Sequence, residues 1–377
     1  MKKVLVFSPY YPPHVGGLES HADEFNKYLS SLGWKIRVLT PRLPETALVK
    51  ENMHTGVEVW RYPAWEIIPN FPLPKFWSKD FWDMWREVSS DGYDWVISRT
   101  RFFMSSFWAG CFAKRKKIKW LHVEHGSDYV KLNSRFKNIV SRVVDHSMGK
   151  WILKNADKVV ANSKATAMFC KKLYSGRKYE VIYRGVELSD FSEDKKLRGK
   201  YSSMVVISYV GRLIDGKGVT DLVVAVSRLK RRDWVLWIIG EGPRRKDLER
   251  FSKEKGLEER VVFFGQIEKK KLLGMLSVSD IFVNPSYTEG LPTSVIEAAW
   301  CKNAIVATDV GGTSEIIDNK TSGILIPIRD PKRLSTEIEI LLQDSLKRES
   351  LGRSAKKKVK NIFNWDESIK KYIQILE

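Results

Sequence analysis

The stretch NPSYTEGLPTSVIEAAW, residues 284–300, holds two carboxylates, Glu289 and Glu297, on either side of a Gly-Leu-Pro turn. Gly290 and Pro292 break a helix, which leaves Glu289 in a loop. Proline suits the first helical turn, so a helix is expected to start at Pro292 or Thr293, with Glu297 about one turn inside. The N–H groups at Thr293 and Ser294, with the helix dipole behind them, suit a phosphate. A carboxylate on either side of that phosphate is poorly placed to bind it and well placed to accept hydrogen bonds from neighbouring hydroxyls. A nucleotide sugar offers both, ribose on one side and the sugar on the other. A single glutamate there would be only a favourable dipole partner; two around one turn point to a ligand.

Three further constellations join it. VGRLIDGKGVTDL (210–222) has glycines for a tight turn and two cations, Arg212 and Lys217. Arginine grips a diphosphate in fork geometry and lysine neutralises it, so together they could stabilise the charge on a departing diphosphate. SPYYPPHVGGLESHADEF (8–25) puts Gly16 and Gly17 where the first strand feeds the first helix, so backbone can approach a ligand closely. The G-x-G-x-x-G spacing is absent there, which disfavours a nicotinamide dinucleotide. HVEHGSD (122–128) sets His125 before a glycine at a strand end, open to a structural role and to a catalytic one. No metal is expected, since neither D-x-D nor a His/Cys cluster with ligand spacing occurs.

These residues need elements to hold them. Apolar runs at 3–7, 35–40, 57–62, 94–98, 119–124, 158–162 and 179–183 read as strands, with helices between them, such as 18–31 and 134–155. The polar segment 188–203 reads as a linker. The pattern restarts with runs at 204–211, 234–240, 261–265, 281–286, 304–308 and 323–327. Two such βα blocks imply two doubly wound α/β domains whose loops point to one shared cleft. The basic helical tail is longer than the second domain needs.

The chain has 377 residues, 43% of them hydrophobic, which suits two globular domains. With 65 basic and 45 acidic side chains its net charge is +20, which favours an anionic partner. No recognition helix, zinc finger or aromatic sheet motif accompanies the charge, so nucleic acid is not expected. Cys111, Cys170 and Cys301 are scattered and suit a reducing compartment as small core residues. Pro9 cuts the N-terminal apolar run too short for a signal peptide. The expected location is cytoplasmic, peripheral on the inner face of the cell membrane. The aromatics of 71–88 contribute to that expectation: on a helix Trp77, Phe81 and Trp85 would share a face, with Phe76 and Trp82 nearby and Lys75, Lys79 and Arg86 between. That pattern fits a membrane interface or lipid-linked acceptor, and equally a core helix. Basic runs at 114–119 and 131–142 lie in the same domain and could meet anionic head groups.

Taken in order, these motifs resemble glycosyltransferase family 4, the retaining GT-B glycosyltransferases. YPPHVGGLE, HGSD, NSKATAMF, RGVELSDF, GRLIDGKG, GEGP, FFGQI, NPSYTEGLPTSVIEA, VGGTSEII and GILI carry the likeness along nearly the whole chain. It implies that Glu289 contacts the donor sugar, Glu297 the ribose, and Arg212 and Lys217 the diphosphate. It implies that backbone at Gln266 and Ile267 meets the base, that Gly16 and Gly17 approach the phosphates and acceptor, and that His125 lies near the reacting sugar carbon. The catalytic set it implies is His125, Arg212, Lys217 and Glu289; the donor-binding set is Gly16, Gly17, Gly211, Gln266, Ile267, Leu291, Thr293, Ser294 and Glu297. Front-face substitution with retention follows, the leaving diphosphate helping to take the acceptor proton, with no cofactor and no protein nucleophile. The nucleotide sugar is a co-substrate, UDP ahead of GDP; the charge and the aromatics add a glycan or lipid-linked acceptor of cell-surface polysaccharide or glycolipid synthesis, and the alternatives are an epimerase or phosphorylase on the same fold or a basic nucleic-acid-binding protein. The implied fold is α/β GT-B: Rossmann-like domains over 1–187 and 204–355, a linker at 188–203, and a C-terminal helix, 356–377, crossing back to the first domain. Arg184 departs from the family's usual asparagine, and Arg99–Thr100 from a strand end that commonly carries histidine; both bear on the acceptor.

Overall fold

The structure is a computed structural model that describes residues 2–14, 16–68, 71–129, 135–186 and 191–377. The chain divides into two compact units, Met1–Gly185 with Trp365–Glu377, and Val186–Asn364.

The first unit is built on an eight-stranded sheet. Its strand order is Glu180–Val181, Lys158–Ala161, Lys119–Glu124, Trp95–Arg99, Lys3–Phe7, Lys35–Pro41, Val57–Tyr62, Lys50–His54. All neighbours are parallel except the last pair. Parallel strands carry helices on both faces, which is why they read as unbroken apolar runs; Val4, Leu5 and Val6 are all fully buried. Helices Gly17–Ser31 and Trp365–Leu376 cover one face through Phe25, Leu29, Trp365 and Tyr372. Helices Lys79–Ser90, Met104–Lys116 and Lys150–Asn155 cover the other through Phe81, Phe112 and Ile152.

The second unit carries six parallel strands in the order Val261–Gly265, Trp234–Ile239, Val205–Val210, Ile281–Asn284, Ala304–Thr308, Ile324–Ile326. The strand Trp234–Ile239 is buried along its whole length.

Several expectations need correcting. The aromatic stretch is no single helix: Phe71–Pro74 pairs antiparallel with Ala64–Ile68, and the helix starts only at Lys79. Trp77 therefore lies ahead of the helix, while Phe81, Met84 and Val88 form its buried face. The helix expected over 134–155 is interrupted by a π turn at Asp145–Gly149, where the buried Asp145 meets Arg101 Nε at 2.9 Å. The strand expected at 179–183 pairs only over Glu180–Val181. Cys111 is exposed and so is no core residue; Cys170 is buried and Cys301 half-buried. The described part of the expected linker belongs to the second unit. Asp194 caps the helix Lys195–Lys200, and its N–H donates to Gly274 O at 3.1 Å. The return to the first unit comes at Trp365, after the helix Ser345–Ile362, and not at 356. Positions 131–134 of the second basic run and 187–190 of RGVELSDF and the linker lie outside the described residues.

Candidate active site

In open parallel sheets, ligands sit beyond the strand carboxyl ends where strand order reverses. In the second unit that switch falls between Val205–Val210 and Ile281–Asn284. The loops leaving these two strands carry Gly211, Arg212 and Lys217 on one side and Glu289 and Leu291 on the other. Lys217 Nζ donates to Glu289 Oε1 at 2.6 Å, with the two side chains 22% and 11% exposed. Arg212 is exposed on the same loop, and Leu291 is buried. Backbone locks the loops together: Tyr287 N–H donates to Gly216 O at 2.9 Å, and Gly312 N–H to Gly290 O at 2.7 Å. Gly218 (φ +64) and Gly311 (φ +54) adopt the left-handed conformation, and a Cβ on either would overlap a carbonyl, Pro285 O and Glu289 O respectively.

Pro292 is extended (φ −71, ψ 106) and the helix Thr293–Trp300 begins immediately after it. Thr293 and Ser294, both half-buried, present first-turn N–H groups at its amino end. Glu297 is buried, with Lys269 Nζ at 3.9 Å from its carboxylate. Gln266 (exposed) and Ile267 (half-buried) follow Val261–Gly265, the outer strand, two places from the switch. The structure thus joins Lys217 directly to Glu289, sets Arg212, Thr293, Ser294 and Glu297 on the same pair of loops and the helix they feed, and leaves Gln266 and Ile267 farther along the sheet edge.

In the first unit the switch lies between Lys3–Phe7 and Trp95–Arg99. Gly16 caps the first helix in extended backbone (φ −178), and a Cβ there would overlap the carboxylate of Glu19, which holds His14 Nδ1 at 2.7 Å. Gly17 O accepts from Arg184 Nη1 at 3.1 Å. Glu24 Oε2 accepts from Arg184 Nη2 at 3.0 Å and from Trp365 Nε1 at 2.8 Å. Arg184 therefore fastens the segment after the last strand to the first helix, at Gly17 and at Glu24.

His125 follows the strand Lys119–Glu124, and its main chain is held by that strand's last residue. Glu124 Oε1 accepts from the N–H groups of His125 and Gly126 at 2.9 and 2.8 Å, and Oε2 accepts from Arg101 N–H at 2.9 Å. The Arg101 guanidinium lies 3.1 Å from Glu124. Burial pushes the Glu124 carboxyl up, but Arg101, His122 and the Gly126 N–H outweigh it and hold it well below the usual range. The His125 ring meets His21 edge to face, centroids 4.7 Å apart. Burial, then the charge of Arg99, pull the His125 imidazole down to about 3. His21 is held down chiefly by burial, then by its neighbours His125, Arg99 and Arg184.

Sequence reasoning missed Glu24, Arg101, Glu124 and the His21–Arg99 pair. The available signal was a charged residue at the end of an otherwise apolar strand, as in KWLHVE and DWVISR, where burial demands a partner.

Residues 15–190 match the family described as Glycosyltransferase Family 4, and residues 190–358 match Glycosyl transferases group 1. An uncharacterised glycosyltransferase of Methanocaldococcus jannaschii is 38% identical over 388 aligned residues, covering 100% of this chain and 98% of the relative. Sucrose-phosphate synthase of Thermosynechococcus elongatus is similar in fold, with a TM-score of 0.84 at 22% identity over 100% of this chain and 98% of the other. An Anabaena protein solved with UDP and glucose has a TM-score of 0.78 at 18% identity, over 100% and 99% of the two chains. Both halves match glycosyltransferase families and one relative aligns from end to end, so the chain belongs to the family 4 glycosyltransferases and has the GT-B fold.

Proposed function

We propose that this glycosyltransferase takes a sugar from a nucleoside diphosphate donor, UDP ahead of GDP, and passes it with retention to a hydroxyl of a lipid-linked or glycan acceptor. The observation that carries the reading is the Lys217–Glu289 pair, 2.6 Å apart at the topological switch beside the helix start at Thr293. A diphosphate arriving at that helix end draws Lys217 and Arg212 to itself and frees Glu289 to accept a hydrogen bond from a sugar hydroxyl. Glu297 then serves the ribose. The bond from the anomeric carbon to the phosphate oxygen breaks, the acceptor oxygen bonds on the same face, and its proton passes to the leaving diphosphate. Arg212, Lys217 and the Thr293–Ser294 N–H groups supply the positive charge, and the reading needs no divalent ion. UDP is favoured because an Anabaena structure of similar fold was solved with it.

The lipid side of the reading draws support from an exposed aromatic group in the first unit. Trp65, Phe76, Trp77 and Trp82 are 39%, 42%, 65% and 48% exposed. The rings of Trp65 and Trp77 lie 4.4 Å apart, and Trp82 Nε1 donates to Phe76 O at 2.6 Å. Tryptophan favours the head-group level of a bilayer. Among the described residues no helix is long and apolar enough to cross a membrane; attachment to the inner face of the cell membrane would be peripheral.

Thermal unfolding with UDP, GDP, ADP and their sugar conjugates, each with EDTA, tests the donor site. Ligand at a hundred times its Kd adds about 2.7 kcal/mol to stability. One nucleotide should raise Tm, and folded Glu297→Ala and Arg212→Ala variants should lose that rise. No shift with any nucleotide would overturn the reading. Donor consumed without acceptor and returned as a second nucleotide sugar would favour an epimerase.

A further inference from the structure

Tyr287, on the loop that carries Glu289, is bonded twice to the segment that carries Lys217. Its N–H donates to Gly216 O at 2.9 Å, inside the tight turn Asp215–Lys217. Its phenol O–H donates to Asp221 Oδ2 at 2.9 Å, in the first turn of the helix Val219–Ser227 that follows. Lys217 lies between these two anchors, and Glu289 lies two residues beyond Tyr287. The ring packs directly on the turn: a Cβ on Gly218 would come within 3.2 Å of Tyr287 Cε1. Arg329, after the strand Ile324–Ile326, sets its guanidinium 4.9 Å from the ring centroid.

The main-chain bond to Gly216 is available to any residue at this position, whereas the bond to Asp221 needs the phenol. Burial, then the Asp221 bond, push that phenol up to about 12, so it stays protonated at neutral pH and keeps its role as donor. A hydrogen bond onto a carboxylate is stronger than one between neutral groups. The link matters because Lys217 Nζ sits 2.6 Å from Glu289 Oε1. Shifting the turn by about 1 Å would carry that contact beyond hydrogen-bond range.

We propose that Tyr287, through its bond to Asp221, is a positioning residue that holds Lys217 beside Glu289, where the cation can meet the outer phosphate of a nucleoside diphosphate. This rests on the donor reading above and concerns the second unit alone, to which all these residues belong. Tyr287 acts on the ligand only through Lys217. Loss of the phenol therefore weakens a nucleoside diphosphate and spares a monophosphate, whereas general damage to the loops weakens both.

The test is calorimetric binding of UDP and UMP, and of GDP and GMP, to the full-length protein with EDTA present. Wild type should prefer the diphosphate of one base over its monophosphate. Tyr287→Phe should cut that preference about tenfold, the worth of one hydrogen bond, almost wholly through weaker diphosphate binding. Asp221→Ala should do the same, while Asp221→Asn, whose amide oxygen still accepts from the phenol, should keep the preference. The two Asp221 variants carry the test if Tyr287→Phe does not fold. On a Lys217→Ala background Tyr287→Phe should cause no further loss, because the group it positions is gone. Equal losses for diphosphate and monophosphate, an unchanged preference in both Tyr287→Phe and Asp221→Ala, or a further loss on the Lys217→Ala background would overturn the proposal. Failure of the donor reading shows separately, as a wild type that binds none of the four nucleotides, and the proposal would fall with it.

Discussion

Lys217 and Glu289 are half-buried partners 2.6 Å apart, so each offsets part of the other's desolvation. Removing one leaves the other charge poorly solvated. Lys217→Ala and Glu289→Ala should therefore each lose about 1–3 kcal/mol in urea unfolding, and the double variant clearly less than the sum. Turnover should behave differently: it should fall at least about a hundredfold in Lys217→Ala and stay low in the double variant, because the diphosphate still lacks its cation. Additive stabilities would mean that the pair is a surface contact with no coupling. In the first unit the titrating residues set an acid limit. His21 and His125 stay uncharged when folded but take a proton below about pH 6.5 when unfolded. The unfolded state then binds more protons, and stability declines as pH falls from 6.5, toward about 3 for His125. Glu124 is depressed, so its contribution is present above its unfolded value of 4.5 and is lost as pH drops below that. Urea midpoints from pH 8 to 4 should fall in two stages, with His125→Gln blunting the first and sparing the second. A flat profile between pH 7 and 5 would contradict the uncharged histidines.

At the scale of elements, the loops at the second unit's switch depend on glycines that let backbone cross backbone. Gly311, at φ +54, leaves no room for a Cβ against Glu289 O. Gly311→Ala combines a left-handed penalty of about 1–2 kcal/mol with displacement of the Glu289 loop. It should lower nucleotide affinity by about tenfold or more while the strands of the first unit keep their amide protection; unchanged nucleotide affinity would mean that the loop is not part of the donor site. The same scale shows what the sequence could convey. Parallel strands such as KVLVF and WVLWII are buried on both faces and so stand out as apolar runs. Lys50–His54 does not, because KENMH is a half-exposed antiparallel edge strand without alternation. Phe71–Pro74 is hidden by its two prolines, tolerated because it pairs on one side in a two-strand ribbon. The segment after residue 190 reads as a linker by polarity, yet backbone pairing to Gly274 docks it, and polarity does not report backbone partners. The Lys217 and Glu289 motifs were legible since each of them, like the helix start at Thr293, follows a strand end. The support of His125 was not, because Arg101, Asn162 and Arg99 reach it or its neighbours only through the fold.

At the scale of the whole molecule, the chain completes its second unit before it finishes its first. The helix Trp365–Leu376 buries Trp365, Ile369, Tyr372, Ile375 and Leu376 at 2%, 6%, 0%, 8% and 1% exposure, in the cluster that holds Phe25 and Leu29. Lys2 Nζ and Trp95 Nε1 donate to Leu376 O at 3.2 and 2.8 Å, tying the last turn to the residue just before the first strand and to the strand Trp95–Arg99. Gly185 is required where the segment passes Trp365, since a Cβ there would overlap the indole and the Trp365 backbone. Five such side chains at roughly 1.5–3 kcal/mol each amount to on the order of 10 kcal/mol, the size of a domain's net stability. Deleting 365–377 should therefore unfold the first unit and spare the second, whose core lies wholly within Val186–Asn364. Hydrogen exchange on the truncated chain should find Lys3–Phe7 unprotected and Val205–Val210 protected. Trp365→Ala alone should cost about 3–5 kcal/mol, against about 0.5 kcal/mol or less for the exposed Trp82→Ala. Protection retained in the first-unit strands after truncation would show that this sheet closes its core without the returning helix, and would remove the one covalent reason for the first unit to await the second during folding.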